Sequence, residues 1–404
     1  MSHYTKMIMT LMCIISLCSC AKKNEEMGTY GYDKSFFEKN GIQCLELESQ
    51  DGLARILVAP GYQGRVMTTT ATGDKGGSFG WINYKLIESK KINPQFNPVG
   101  GEERFWMGPE GGPFSIYFKP KQEQIYENWK VPSSIDTEKY DLVSSSKNSL
   151  KFKKETSLTN ASGTKFKVGI ERTISLLSKD QISKMLHIEL SNAIKSVGYQ
   201  TDNKIVNKGD QAWTKEGGLL SIWLLGMFNP TPTTTVFIPY DTNAEGTIVH
   251  DDYFGKVPSD RLIVENGMAF FKIDGTYRSK IGIPSERCKG ICGSYDSQKK
   301  VLTLLWCSIP SGTQSYVNSK WGEQSNPFDG DVINAYNDGP VEDGSIMGPF
   351  YEIETSSPAA ALAPGQYMQH LQSVVHLCGE ESELSAIVHE LFNIDLKDIV
   401  VKFQ

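Results

Sequence analysis

Apolar and polar residues alternate with a period of two in several parts of the chain. Leu150-Lys151-Phe152-Lys153, Lys165-Phe166-Lys167-Val168-Gly169-Ile170 and Leu186-His187-Ile188-Glu189-Leu190 each put apolar side chains on one side and polar ones on the other, as half-buried strands do. Unbroken apolar runs at residues 219–228, 236–238 and 301–306 suit strands covered on both faces. Turn-forming pairs separate these segments at short intervals, among them Asn97-Pro98, Asn229-Pro230, Asp274-Gly275 and Asp329-Gly330. Only the C-terminus reads as helix: Glu380, Glu381 and Glu383 are acidic at its start, and Leu384, Ile387, Val388 and Leu391 follow at helical spacing. Residues 35–404 contain no internal repeat and no low-complexity linker. About fifteen or more short strands are expected, in one large all-β domain of two sheets packed face to face with a short C-terminal helix.

The first residues break this pattern. Lys6 precedes an apolar run over 7–17 that ends in Leu17-Cys18-Ser19-Cys20. The run is too short for a spanning helix, which needs about 20 residues, and it fits the core of an export signal. Its end resembles the lipobox of bacterial lipoproteins, and the sequence after it turns abruptly polar at Ala21-Lys22-Lys23-Asn24-Glu25-Glu26. The expected organisation is a signal over 1–19, a lipidated tether over 20–34 starting at an acylated Cys20, and the β domain over 35–404. Burial of acyl methylenes would anchor the protein to the bacterial outer membrane, facing either the periplasm or the surface.

The net charge of −6, with no Lys/Arg block, argues against nucleic acid as a partner. Beyond Cys20 the cysteines are Cys44, Cys288, Cys292, Cys307 and Cys378, an odd number that excludes a complete disulfide framework. Cys288 and Cys292 lack the usual zinc spacing, so no metal site is expected; they are either bridged or free thiols. Seven Trp and seventeen Tyr supply flat apolar faces, suited to β cores and also to sugar rings.

Three segments concentrate chemistry. In Val99-Gly100-Gly101-Glu102-Glu103-Arg104-Phe105-Trp106-Met107-Gly108-Pro109-Glu110-Gly111-Gly112, five glycines accompany three carboxylates, an arginine and a tryptophan. Arg104 can fork hydrogen bonds to vicinal hydroxyls, Trp106 can stack, and Glu110 adds a carboxylate; the alternative is an Arg–Glu pair pinning a structural loop. There is no phosphate-loop pattern here. The second segment joins Asp251-Asp252-Tyr253-Phe254 to Arg278-Ser279-Lys280; Arg278 and Lys280 share a strand face and would bind an acidic sugar or pair with nearby Asp residues. The third runs from Asp331 through Asp338 to the strand expected over 350–355, where Glu352 and Glu354 share one face and Tyr351 and Ile353 the other. A carboxylate there is either a general base, its pKa raised by partial burial, or part of an exposed strand face.

Together Gly100–Gly112, Ser221-Ile222-Trp223-Leu224-Leu225-Gly226-Met227-Phe228-Asn229-Pro230, Asp331-Val332-Ile333-Asn334-Ala335-Tyr336-Asn337-Asp338-Gly339-Pro340 and Glu352-Ile353-Glu354-Thr355-Ser356-Ser357-Pro358-Ala359-Ala360 resemble a lipoprotein family of the Bacteroidota. That family belongs with the galactose mutarotase-like (aldose 1-epimerase-like), carbohydrate-binding superfamily. The resemblance implies a β-supersandwich with a sugar on its concave face and no cofactor. It also implies a late catalytic glutamate, for which Glu354 stands, and an early arginine, for which Arg104 stands. The Asn-His segment that supplies the acid in true mutarotases has no match, and His187 is the stand-in. The expected ligand contacts are Arg104, Trp106, Glu110, Arg278, Lys280, Asp338 and Glu352. The expected activity is binding of a carbohydrate with epimerase-like chemistry at an anomeric centre; the alternatives are non-catalytic glycan binding and a polysaccharide lyase or hydrolase.

Overall fold

A computed structural model describes residues 26–312, 314–341 and 343–404; the expected signal, Cys20 and the tether as far as residue 25 lie outside them. Helix α1 (Tyr30–Lys39) leads into β1 (Leu45–Glu48), β2 (Arg55–Ala59) and β3 (Arg65–Thr70). Then come α2 (Tyr84–Ser89), β4 (Arg104–Gly108), β5 (Asp141–Ser145), β6 (Ser149–Thr159) and β7 (Lys165–Leu176). Helix α3 (Lys179–Leu186) precedes β8 (Lys195–Asn207), β9 (Ser221–Phe228), β10 (Thr234–Pro239), β11 (Leu262–Glu265) and β12 (Met268–Lys272). The chain continues through β13 (Ser279–Pro284), β14 (Ile291–Asp296), β15 (Val301–Cys307), β16 (Asp331–Asn337), β17 (Tyr351–Ser356) and β18 (Tyr367–Cys378), and ends in α4 (Glu381–Phe392) and α5 (Leu396–Val400).

The described strands form three sheets: β1-β2-β3, a ten-stranded sheet β11-β12-β10-β14-β15-β18-β8-β7-β6-β5, and a five-stranded sheet β13-β16-β17-β9-β4. All their pairings are antiparallel. The five-stranded sheet lies against the ten-stranded one: Phe228 stacks edge-on against His376, and Tyr351 and Ser294 share a hydrogen bond. The main apolar core fills this interface. It also holds buried charge. Arg172 Nη2 meets Glu103 at 2.7 Å with both side chains fully buried, and His376 Nε2 lies 2.7 Å from Glu102. The outer face of the ten-stranded sheet is covered by α3, α4 and α5 through Ile182, Leu186, Leu384, Ile387, Val388 and Ile399.

The all-β expectation holds, and the alternating segments at 150–153 and 165–170 lie in β6 and β7. The C-terminal helix is α4, with Glu381 and Glu383 in its first turn beside the positive end of the helix dipole. The segment 186–190 departs from expectation, because it is not a strand. Ser178 and Gln181 form a capping box that starts α3, Ile182 and Leu186 share the buried face four residues apart, and His187 ends the helix in the left-handed conformation (φ 56°). The alternation of apolar residues there comes from the last helical turn running into a loop. The expected tether over 20–34 overlaps α1, where Tyr30 and Asp33 are fully buried. Among the described residues no helix is long and apolar enough to cross a membrane.

Candidate functional site

The outer face of the five-stranded sheet, turned away from the ten-stranded one, is also largely buried, and it is built from large and charged side chains. Register places them in rows. Arg104, Leu225, Glu354, Asn334 and Gly282 lie side by side across β4-β9-β17-β16-β13, and Met227, Glu352, Tyr336 and Lys280 form the next row. Trp106 and Trp223 pair in the row on the other side. Because side chains alternate along a strand, Glu352 and Glu354 share this face, while Tyr351, Ile353 and Thr355 turn to the core. Thr355 is anchored there by His370 Nε2 at 2.8 Å and Gln372 Oε1 at 2.6 Å.

Pairing across the rows is diagonal. Lys280 Nζ donates to both oxygens of Glu354, at 3.0 and 2.7 Å, and Trp223 Nε1 donates to Glu354 Oε2 at 2.9 Å. Arg104 Nη2 donates to Glu352 Oε1, and its guanidinium lies 4.7 Å above the Trp106 ring. Lys280 also sits 5.0 Å from the Trp223 ring and 5.3 Å from that of Tyr253. Burial opposes the charge on Lys280, but the Glu354 carboxylate outweighs it and holds the ammonium above the usual lysine range. Burial, aided by the neighbouring Glu354 charge, pushes Glu352 up to about 8 against the lowering influence of Arg104. Glu110, just beyond β4 and partly exposed, faces Lys280 and Glu354; burial drives it up to about 7, while Lys280 and the indoles of Trp321 and Trp129 favour its ionised form. Burial thus raises Glu110 and Glu352 toward the neutral range, where a carboxyl can both give and take a proton.

Aromatic rings wall the charges. Trp106 meets Trp223 at 5.6 Å and Trp129 at 6.5 Å, and Trp321 stacks on Trp129 at 6.1 Å. The floor between them is nearly closed: the side chains of Lys280 and Glu352 keep 10% and 8% of their surface exposed. Two of the buried Arg104 nitrogens, Nε and Nη1, and Trp106 Nε1 have no hydrogen-bond partner. At the edge of this face, Asp331 accepts from Tyr253 OH and lies 2.9 Å from His250 Nδ1, which raises the His250 pKa. Among the described residues no group of three or more His, Cys, Asp or Glu is placed to hold a metal.

Of the residues singled out from sequence, Arg104, Trp106, Glu110, Lys280, Glu352 and Glu354 come together here, although up to 250 positions separate them along the chain. Arg278 and Asp338 lie beside them. Arg278 covers Phe254 at 3.9 Å, and Asp338 accepts from Tyr336 OH at 2.9 Å and from the backbone N–H of Gly348. His187 does not join them. It is an exposed cap on α3, on the outer face of the ten-stranded sheet, so the strand that was to carry it inward does not exist. The sequence motifs include Trp223, Tyr253 and Tyr336 without giving them a role, and they omit Trp129 and Trp321 altogether. Trp223 lies in an all-apolar strand whose two faces look alike in sequence; only the odd spacing of Trp223, Leu225 and Met227 separates its outer row. Cys288 and Cys292 are free thiols.

Known structures resemble the chain at low identity. A candidate aldose 1-epimerase from Escherichia coli K12 is 12% identical with a TM-score of 0.48, over 83% of this chain and 99% of that one. The Slr1438 protein from Synechocystis sp. PCC 6803 is 12% identical with a TM-score of 0.49, over 83% and 96%. A galactose mutarotase-like protein from Lactobacillus casei is 9% identical with a TM-score of 0.48, over 83% and 100%. No curated protein matches the sequence. Residues 28–403, nearly the whole of the described chain, match one family from end to end, and the protein belongs to it: the family of unknown function DUF6786.

Proposed function

We propose that the outer face of the five-stranded sheet binds a carbohydrate, and that Glu110 and Glu354 exchange protons with the sugar at its anomeric centre. One observation supports this reading above the others: Glu110, Glu352 and Glu354 converge with Arg104 and Lys280 inside a wall of tryptophan rings. A sugar has apolar C–H faces for the rings and a rim of hydroxyls for the charges. Mutarotation needs one group to take the anomeric hydroxyl proton and another to protonate the ring oxygen. Glu110, with its carboxyl near 7, is the acid in this scheme, and Glu354, held in place by Lys280, is the base that takes the anomeric hydroxyl proton. Glu110 thus takes the acid role first assigned to His187.

A second reading, glycan binding without chemistry, rests on a separate observation: Glu354 already accepts three hydrogen bonds from Lys280 and Trp223, which commits both of its oxygens to the protein. Polarimetry on freshly dissolved aldoses separates the two. Loss of anomer interconversion in Glu110→Gln with saccharide affinity kept supports proton transfer, and absence of interconversion in the unmodified protein leaves binding alone. Absence of saccharide binding altogether eliminates both. The lipid anchor at Cys20 and outer-membrane attachment belong to the same proposal; Cys20→Ser should abolish incorporation of labelled palmitate.

A further inference from the structure

Exposed aromatic rings are few among the described residues: Tyr126 (60%), Phe254 (46%), Tyr277 (42%), Trp321 (37%) and Tyr367 (55%). Three of these five, Tyr126, Trp321 and Phe254, border the charged floor, and Tyr277 and Tyr367 stand apart. The three lie on two sides. Trp321 and Tyr126 each stack on Trp129, which connects through Trp106 to β4. On the other side Phe254 packs edge-on against Tyr336 of β16 with Arg278 over its ring; Tyr277 lies instead under Arg261 at 4.9 Å, against the edge of the ten-stranded sheet.

Two features describe the occupant. The rings are not one continuous apolar patch, as a docked protein would need; they stand apart, with a polar floor between them. Phe254 also lies against the Arg278 guanidinium, which puts hydrogen-bond donors beside its ring. Five strands spaced about 4.8 Å apart make the floor about 19 Å across, several sugar rings wide. From this arrangement, and resting on the reading that this face binds sugar, we infer that the ligand is a saccharide chain of several units laid across the five-stranded sheet from the Trp321–Tyr126 side to the Phe254 side, and not a single free sugar. Its outer units stack on the rim rings, and one unit lies over Glu110, Lys280 and Glu354.

Calorimetric titration of the purified protein with glucose, xylose and galactose, and with the six-unit malto-, cello-, xylo- and β-galacto-oligosaccharides, tests this. At least one chain should bind more than tenfold tighter than its monosaccharide. Phe254→Ala and Tyr126→Ala should each weaken that chain roughly three- to tenfold and the monosaccharide by less, the loss expected for one stacking ring. Tyr367→Ala is the control and should change neither. All three rings are exposed, so the fold should survive, with unchanged circular dichroism. Equal affinity for chain and monosaccharide overturns this inference while sparing the sugar site, as do losses in the rim variants no larger than in Tyr367→Ala. Absence of binding to monosaccharides and chains alike overturns the sugar site and the inference with it.

Discussion

Replacing Lys280 by Met tests whether the charged floor is held as described. Glu354 is 1% exposed and takes hydrogen bonds from Lys280 at 3.0 and 2.7 Å. At an effective dielectric of about 20, opposite charges about 3 Å apart attract by roughly 5.5 kcal/mol. Part of this is offset, because the variant no longer strips water from the ammonium. The residual cost of a buried carboxylate without its cation is about 3–5 kcal/mol. Trp223 Nε1 still donates at 2.9 Å and puts the expected value at the lower end of that range. Guanidinium unfolding should show a lower midpoint with an unchanged slope, since the surface exposed on unfolding is the same. Lys280→Met/Glu354→Gln, which removes both charges, should recover most of the loss. A single variant within about 1 kcal/mol of the parent would refute the reasoning, as would a double variant no more stable than the single one.

Three further outcomes follow from other parts of the molecule. Arg172→Met strands Glu103 between the sheets, where both side chains are fully buried, and should destabilise by about 3–5 kcal/mol in the same unfolding assay, with Arg172→Met/Glu103→Gln less affected. Asp33 of α1 is raised to about 6 by burial, against the lowering effect of its hydrogen bonds with Ser78 and Tyr84. The folded state therefore holds this proton more tightly than the unfolded chain. The resulting stability is fully present below about pH 4 and is lost as pH rises through about 6, so relative to Asp33→Asn the parent should lose about 2–3 kcal/mol between pH 4 and 7. His187→Ala should leave saccharide binding and anomer interconversion unchanged, because His187 is an exposed helix cap on the far sheet; a loss measured by titration or polarimetry would return it to the site.

Much of the architecture was legible because local rules suffice for it. Period-two alternation marks β6 and β7, acidic residues followed by helically spaced apolar ones mark α4, and paired carboxylates two apart have to share a face of β17. Helices α1, α2 and α3 escaped notice because they are short and only a few positions set the pattern in each. At 186–190 a final helical turn imitates a strand, and the capping box at Ser178 was the signal that would have corrected it. In β9 both faces are apolar, so the outward row of Trp223 could not be told from the inward one.

What the chain determined by itself is the strand pattern and the face that each carboxylate of β17 occupies, since these depend on neighbours within a few residues. What only the tertiary structure decided is which charges meet. Arg104 finds Glu352, and Lys280 finds Glu354, because β4, β9, β17, β16 and β13 lie in that spatial order, which differs from their order in the chain. The same folding carried His187 to the opposite side and brought Trp129 and Trp321 over Glu110. Sheet order and register are cooperative properties of the whole core, and no short stretch of sequence encodes them.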